Sequence, residues 1–168
     1  MTESGGASDC RYRSLAQACG ADKPDEDPDK NGKKSMSYRI YTSNDHPDLH
    51  FAQAFEIHQS PPEAEAVFIR RASIGNAESG QDVINVIAEA FEFPDYFGGN
   101  LDALLDCLRD MDWRKAPSYV LILSDALPAW RRFPLDMGEI SSVWLSAAIV
   151  WRLEGVGFKL GFEMSEGQ

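Results

Sequence analysis

From residue 66 onward, short apolar runs alternate with segments of helical periodicity, and this alternation limits the folds open to the chain. Strands that alternate with helices pair in parallel, because each crossover returns the chain to the same end of the sheet. Parallel sheets are covered by helices, so their strands are apolar. The pattern therefore predicts an α/β domain over residues 66–168, with a small three-stranded parallel sheet packed by helices. The predicted strands are 66–71, 119–123 and 158–162, and the predicted helices are 81–91, 101–111 and 137–153, with one helical turn at 130–133.

The first 65 residues have a different composition and divide into two parts. Residues 1–35 hold few large apolar side chains and include a charged run, punctuated by prolines and a glycine, at 23–34. Such a segment buries too little apolar surface to offset the entropy lost on ordering, so we expect a disordered tail over residues 1–35. Residues 36–65 contain short apolar patches that do not distinguish strand from helix. We therefore treat this part as an extension of uncertain structure.

All three histidines of the chain lie in this extension, at His46, His50 and His58. The spacing of four between His46 and His50 would suit one face of a helix, but Pro47 stands between them. No carboxylate or thiol pattern completes a metal site around them. We therefore expect solvated histidines and no metal centre.

Net charge narrows the classes of partner. The chain carries 27 acidic and 16 basic side chains, which gives a formal charge of −11 and a pI of about 4.6. Lys and Arg make phosphate contacts, so direct binding of nucleic acid is not expected, and an anionic membrane surface is equally disfavoured. No apolar run reaches the roughly 18 residues of a membrane span, and the first residues lack the pattern of a secretory signal. We therefore expect a cytoplasmic protein whose macromolecular partner is basic.

The residues needed for common catalytic chemistry do not form a recognisable pattern. From residue 66 onward the chain has no histidine, which is the commonest general base. No phosphate-binding loop, nucleotide fingerprint or Ser-His-Asp arrangement occurs. The three cysteines, Cys10, Cys19 and Cys107, form neither a C-x-x-C pair nor a disulfide framework. We therefore expect neither enzymatic activity nor a cofactor.

The most informative segment is the predicted helix 101–111. Its leucines and Met111 gather on one side at 100° per residue, so that side packs inward. Three aspartates recur at i, i+4 and i+8 and form an acidic stripe on another side. Like charges at this spacing repel by a few tenths of a kcal/mol per pair, so helix stability alone does not favour them. These aspartates are Asp102, Asp106 and Asp110.

The residues just before this helix suit both a helix start and a close contact with another surface. Asn100 is a good N-cap, since its side chain can accept a hydrogen bond from the first turn. Gly98 and Gly99 let the backbone turn sharply or approach another surface closely. Tyr96 and Phe97 lie beside them, and aromatic residues of this kind anchor interfaces that are surrounded by complementary charge.

Three interpretations of the acidic stripe remain open from the residues alone. It can be a solvated face that Arg109 partly neutralises. Asp102 and Asp106 can form a metal or acid–base pair, as in a small metal-dependent hydrolase, although the motif supplies no third ligand. The stripe, the glycine loop and Tyr96 can also form one negatively charged surface that fills a cationic pocket of a partner.

Residues 93–110, with the sequence FPDYFGGNLDALLDCLRD, resemble the signature of the barstar family of ribonuclease inhibitors. In that family an apolar-Pro-acidic-aromatic-aromatic-Gly-x-Asn segment precedes an Asp-Ala-Leu-x-Asp helix. The order of the predicted strands and helices over residues 66–163 also resembles that fold. The resemblance implies a barstar-like domain that binds a basic extracellular-type ribonuclease or a related toxin, and that is a monomer before the complex forms.

The resemblance also implies roles for particular residues. Asp106 would enter the site where the enzyme holds the substrate phosphate, and Asp102 would pair with another basic group. Tyr96 would pack on the catalytic histidine of the enzyme. Further contacts would come from Asn100 and from the backbone of Gly98 and Gly99.

The chain departs from the family pattern at two positions in this segment. Leu105 stands where the family often has a tryptophan, and Gly99 stands where the type member has an acidic residue. Both positions border the acidic stripe. Two alternatives to an inhibitor remain: a small metal-dependent hydrolase that uses Asp102 and Asp106, and a module of this fold that binds a partner without inhibiting an enzyme.

Overall fold

The computed structural model describes residues 37–41, 48–58 and 67–165, all of which belong to one unit, Ser35–Gln168. The disordered tail predicted for residues 1–35 lies outside the described residues. Six strands and four helices occur within the described ranges. The strands are β1 (Ser37–Tyr41), β2 (Leu49–Ala52), β3 (Ala54–His58), β4 (Phe68–Ser73), β5 (Ser118–Ser124) and β6 (Gly157–Glu163), and the helices are α1 (Gly80–Ala90), α2 (Leu101–Asp110), α3 (Leu127–Arg132) and α4 (Pro134–Leu153).

The central element is a four-stranded parallel sheet with the strand order β2-β6-β5-β4. Strands β4, β5 and β6 are the three that the sequence predicts, and the parallel α/β class is confirmed. The fourth strand, β2, comes from the extension and pairs with β6, so that Leu49 lies opposite Leu160. The sheet thus has an edge strand that the sequence pattern does not predict, because a run of four residues carries little periodic signal.

Helices α1, α2 and α4 cover one face of this sheet and bury most of the core. Trp144 of α4 is fully buried and stacks on Phe158 of β6, with 4.4 Å between the ring centroids. Leu104 and Leu108 of α2 join the same core. Burial of a large apolar side chain contributes about 2–3 kcal/mol. The helices are therefore anchored on the sheet by one side and present the opposite side to solvent.

The other face of the sheet is covered by a second, two-stranded parallel sheet that β1 and β3 form. Ile40 of β1 and Phe55 of β3 pack on Val120 and Ile122 of β5. Gly161 of β6 allows this approach, because a Cβ atom there would come within 2.8 Å of the Phe55 ring and 2.9 Å of Ile40. The extension therefore supplies a third layer of the domain.

Buried ion pairs connect this extension to the rest of the domain. Lys159 of β6 is fully buried, and its Nζ donates to Asp48 Oδ1 at 2.9 Å. Arg152 of α4 pairs with the other oxygen of Asp48. The Glu163 carboxylate accepts a hydrogen bond from the Phe55 backbone N–H at 3.1 Å. Because a buried charge is costly unless it is paired, these contacts fix β2 and β3 next to β6.

The expectation of solvated histidines is wrong for His50, which is only 6% exposed. His50 lies on β2 opposite Gly161, and its ring meets Phe55 edge-on at 6.4 Å between centroids. The residue is buried because β2 joins the sheet, which its local sequence does not indicate. His46 and the side chain of His58 lie outside the described residues.

The helices match the predicted segments, with shifts at their ends. The turn predicted at 130–133 is the end of α3, and α4 starts at Pro134, three residues before the predicted start, since proline suits the first turn of a helix. Ser79 caps α1: its Oγ accepts from Asp82 N–H at 3.3 Å, and the Asp82 carboxylate accepts from Ser79 N–H at 3.0 Å. Among the helices that the structure describes, none has both the length and the hydropathy of a membrane span.

Candidate partner-binding surface

Helix α2 begins where the sequence predicts because Asn100 caps it. The Asn100 backbone is extended, with φ −127° and ψ 173°, and its Oδ1 accepts a hydrogen bond from Ala103 N–H at 2.8 Å. Gly99 has a φ of +69°, a conformation that glycine adopts without steric cost. The helix ends at Met111, whose left-handed backbone directs its N–H to the Cys107 carbonyl. Local hydrogen bonds therefore fix both ends of the helix.

One side of α2 is buried and the opposite side is exposed. Leu104 and Leu108 are fully buried on the side that faces the sheet. The three aspartates of the acidic stripe are exposed, and within the described ranges none of them forms an ion pair. Arg109 is exposed too and makes no ion pair with Asp106 in this part of the chain. The stripe therefore presents its full negative charge to solvent.

Tyr96 projects outward beside the stripe. The turn before α2 closes with a hydrogen bond from Phe97 N–H to the Pro94 carbonyl at 2.9 Å. Tyr96 is 71% exposed, whereas the ring of Phe97 packs against the core. Partial desolvation, followed by the charges of Asp110 and Cys107, raises the pKa of Tyr96. The phenol therefore stays protonated at neutral pH and can donate a hydrogen bond next to the carboxylates.

Cys107 lies on the inner side of α2, beneath the acidic stripe. It is 5% exposed. Burial, with a further effect of the Asp106 and Asp110 carboxylates, raises the pKa of its thiol. A raised pKa leaves little of the reactive thiolate at neutral pH. Cys107 is therefore a packing residue whose thiol is held in its neutral form.

An open cleft of about 470 Å³ adjoins the stripe at the first turn of α2. The first turns of α1, α2 and α4 line it, and its carboxylates are those of Asp102, Asp136 and Glu139. Asp136 is held in place, since its Oδ2 accepts a hydrogen bond from Gly80 N–H at 3.1 Å. Asp136 and Glu139 carry no signal in the sequence, because only the packing of α4 beside α2 brings them next to Asp102.

A model of the barstar (barnase inhibitor) family matches residues 67–163, which are more than half of the chain. The chain belongs to the barstar family. The match begins one residue before β4 and ends with β6. No curated protein matches the sequence significantly. Strands β1, β2 and β3 precede the matched residues, so the second sheet and the edge strand are additions to the barstar-family part of this chain.

The six predicted site residues fall within one short stretch of the barstar-family domain. Four form the loop that leads into α2, and two lie on the exposed side of the helix. Gly99 is half-buried and the other five residues are exposed. The six are Tyr96, Gly98, Gly99, Asn100, Asp102 and Asp106.

A metal ion in a protein is held by a group of His, Cys, Asp or Glu side chains. Within the described ranges, no group of three or more His, Cys, Asp or Glu side chains is close enough together to hold a metal ion. Asp102 and Asp106 therefore belong to no such group in this part of the chain.

Proposed function

We propose that this barstar-family protein inhibits a basic ribonuclease or a related toxin by placing α2 and the preceding loop in the active site of that enzyme. One observation carries the proposal: three exposed carboxylates lie in a row without an ion-pair partner among the described residues, beside an exposed tyrosine. A ribonuclease holds cationic side chains that are arranged for a phosphate anion. A carboxylate that enters such a site forms charge-assisted hydrogen bonds with these groups.

Asp106 is the principal contact in this proposal. It lies in the middle of the stripe, one helical turn from both Asp102 and Asp110. Leu104 and Leu108 anchor the inner side of the same helix, so binding orders little more than the carboxylate side chains themselves. Asp102, about 5–6 Å away along the helix face, pairs with a second basic group of the enzyme.

The loop completes the contact surface. Tyr96 is the aromatic anchor, and its exposed ring packs on the catalytic histidine of the enzyme. Asn100 uses its Oδ1 for the cap of α2, which leaves its side-chain amide N–H groups for the partner. Gly98 and Gly99 have no side chains, so the enzyme can approach the loop backbone closely.

Net charge accelerates the encounter. At −11 the protein attracts a basic enzyme over distances beyond direct contact. Such steering raises the association rate constant at low salt, and added salt screens it. We therefore expect the association rate constant to fall steeply between about 10 mM and 500 mM NaCl, with a smaller change in the dissociation rate constant.

The test is inhibition of purified ribonucleases by purified protein. The enzymes are barnase and the basic ribonucleases secreted by the same organism, and the readout is cleavage of a fluorogenic RNA. We expect Asp106→Ala to weaken inhibition at least about thirtyfold, the effect of losing a binding hot spot. Glu89→Ala is the matched control, because Glu89 is an exposed carboxylate on α1, outside the surface. Circular dichroism confirms that both variants are folded.

Three outcomes oppose the proposal. Inhibition of none of these enzymes by the wild-type protein contradicts it. Equal inhibition by the wild-type protein and Asp106→Ala refutes the role of the stripe. RNA cleavage by the protein alone that stops when a chelator is added favours the metal-dependent hydrolase instead.

A further inference from the structure

Tyr96 lies in a turn whose start is fixed by α1. The Phe93 N–H donates a hydrogen bond of 2.9 Å to a carbonyl in the last turn of α1. The hydrogen bond from Phe97 N–H to the Pro94 carbonyl closes a β-turn over residues 94–97, which we call the tyrosine turn. Tyr96 is the third residue of this turn and is 71% exposed, so the position of its ring depends on what holds the turn in place.

Three aromatic rings pack the tyrosine turn against the domain. The Phe97 ring meets the Phe93 ring edge-on, with 5.0 Å between the centroids. The Phe93 ring meets Trp113 edge-on in the same way, at 5.6 Å. All three side chains are partly buried against the core, and we call these three residues the aromatic cluster. Edge-to-face pairs are favourable beyond the apolar area that they bury, so the cluster gives the turn a defined place.

Trp113 belongs to the segment that follows α2. Met111 ends the helix with a left-handed backbone, and a further turn closes with a hydrogen bond from Arg114 N–H to the Met111 carbonyl at 2.9 Å. Trp113 Nε1 donates a hydrogen bond to the Phe91 carbonyl at 3.2 Å, which fixes the plane of the indole. Trp113 therefore connects the residues after α2 to the residues before it, although the whole helix separates them in the sequence.

We infer that Trp113 is a positioning residue for partner binding, which acts through the aromatic cluster to hold the turn that presents Tyr96. This inference rests on the proposed function, in which Tyr96 packs on the enzyme. A loop that is ordered before binding loses less conformational freedom in the complex, so the partner is bound more tightly. Because most of the Tyr96 side chain is exposed, its own contacts do little to order the turn.

The first test uses the free protein and needs no partner. Amide hydrogen exchange, followed by NMR, reports the Phe97 N–H, which forms the hydrogen bond of the tyrosine turn. We expect Trp113→Ala to accelerate this exchange at least about tenfold. The Ala103 N–H, which is bonded to the Asn100 cap of α2, should exchange at an unchanged rate. An unchanged rate at Phe97 overturns the inference.

The second test is a double-mutant cycle with each ribonuclease, barnase included, that the wild-type protein inhibits. We expect Trp113→Ala to raise Kd about tenfold, mainly through faster dissociation, and to change Kd less than about twofold in a Tyr96→Ala background. Trp130→Ala is the matched control, because Trp130 is also partly buried and meets Phe162 edge-on at 5.4 Å, but packs on β6 and β2. It should leave Kd unchanged. Surface plasmon resonance gives both rate constants.

The outcomes separate this inference from the proposed function. If Trp113→Ala does not fold, Phe93→Leu removes the central ring, keeps an apolar side chain and should show the same dependence on Tyr96. If Asp106→Ala loses inhibition and the Trp113 variant binds like the wild-type protein, the inference is wrong and the proposed function stands. A rise in Kd that is equally large in the Tyr96→Ala background assigns Trp113 to the fold alone and also overturns the inference. If Asp106→Ala inhibits normally, or no enzyme of the panel is inhibited, both fail.

Discussion

Replacement of Asp48 by Asn is expected to destabilise the protein without altering the binding surface. Asp48 is 7% exposed, and its Oδ1 accepts a hydrogen bond from the fully buried Lys159 Nζ at 2.9 Å. Its other oxygen pairs with Arg152 of α4. Asp48 thereby connects the start of β2 to β6 and to α4. Asn keeps the shape of the side chain and removes its charge.

The magnitude follows from the burial of the pair between Asp48 and Lys159. Breaking a buried pair costs about 3–5 kcal/mol, because the remaining charge stays buried with less compensation. The Arg152 pair adds less than about 1 kcal/mol, since the Arg152 side chain is 52% exposed. The Asn oxygen still accepts a hydrogen bond from Lys159, which restores about 1 kcal/mol. We therefore expect the free energy of unfolding to fall by about 2–4 kcal/mol.

Urea unfolding, followed by tryptophan fluorescence, measures this change. With a slope of about 2 kcal/mol per M, the midpoint should fall by about 1–2 M. Asp112→Asn is the matched control: the Asp112 carboxylate pairs with Lys115 at 3.0 Å, where the two side chains are 71% and 81% exposed. That variant should change the free energy of unfolding by less than about 0.5 kcal/mol. Equal losses in the two variants would refute the argument that burial determines the contribution of these pairs.

Three further predictions concern the layers and the helices. A chain that begins at residue 67 lacks the second sheet and exposes the apolar back of the main sheet, so it should aggregate on size-exclusion chromatography. A chain that begins at residue 37 keeps both sheets and should elute as folded protein. Ser79→Ala removes the cap of α1 and should lower the free energy of unfolding by about 1 kcal/mol in urea; no change would contradict the capping geometry. Because the pKa of the Cys107 thiol is raised, its thiolate forms only at higher pH than in the unfolded chain. With the other two cysteines replaced by serine, its reaction with a disulfide reagent at pH 8 should be much slower in the folded protein than in urea, and equal rates would oppose this.

Helix α2 could be predicted, because the residues that specify its start and its two sides lie within the helix or next to it in the sequence. Asn100 caps the helix through a hydrogen bond three residues along the chain, and the leucines and aspartates separate onto two sides by helical periodicity alone. The family signature lies in the same contiguous residues. The match of the family model to residues 67–163 confirms that resemblance.

The second sheet could not be predicted, because its strands are too short to carry a period of their own. Ile40 and Phe55 are buried only because Gly161 leaves space for them on the back of the main sheet, more than 100 residues later in the chain. The same long-range packing buries His50. It also buries Lys159, which looks like an exposed position in an otherwise apolar strand.

The sequence by itself therefore determined the parallel α/β class, the ends of α2 and the composition of the acidic stripe, since hydrogen bonds and periodicity within a few residues specify them. Only the tertiary structure decided which surfaces lie next to the stripe. The packing of α4 against α2 places Asp136 and Glu139 beside Asp102. That proximity depends on how side chains from distant segments fill one core, and no local pattern encodes it.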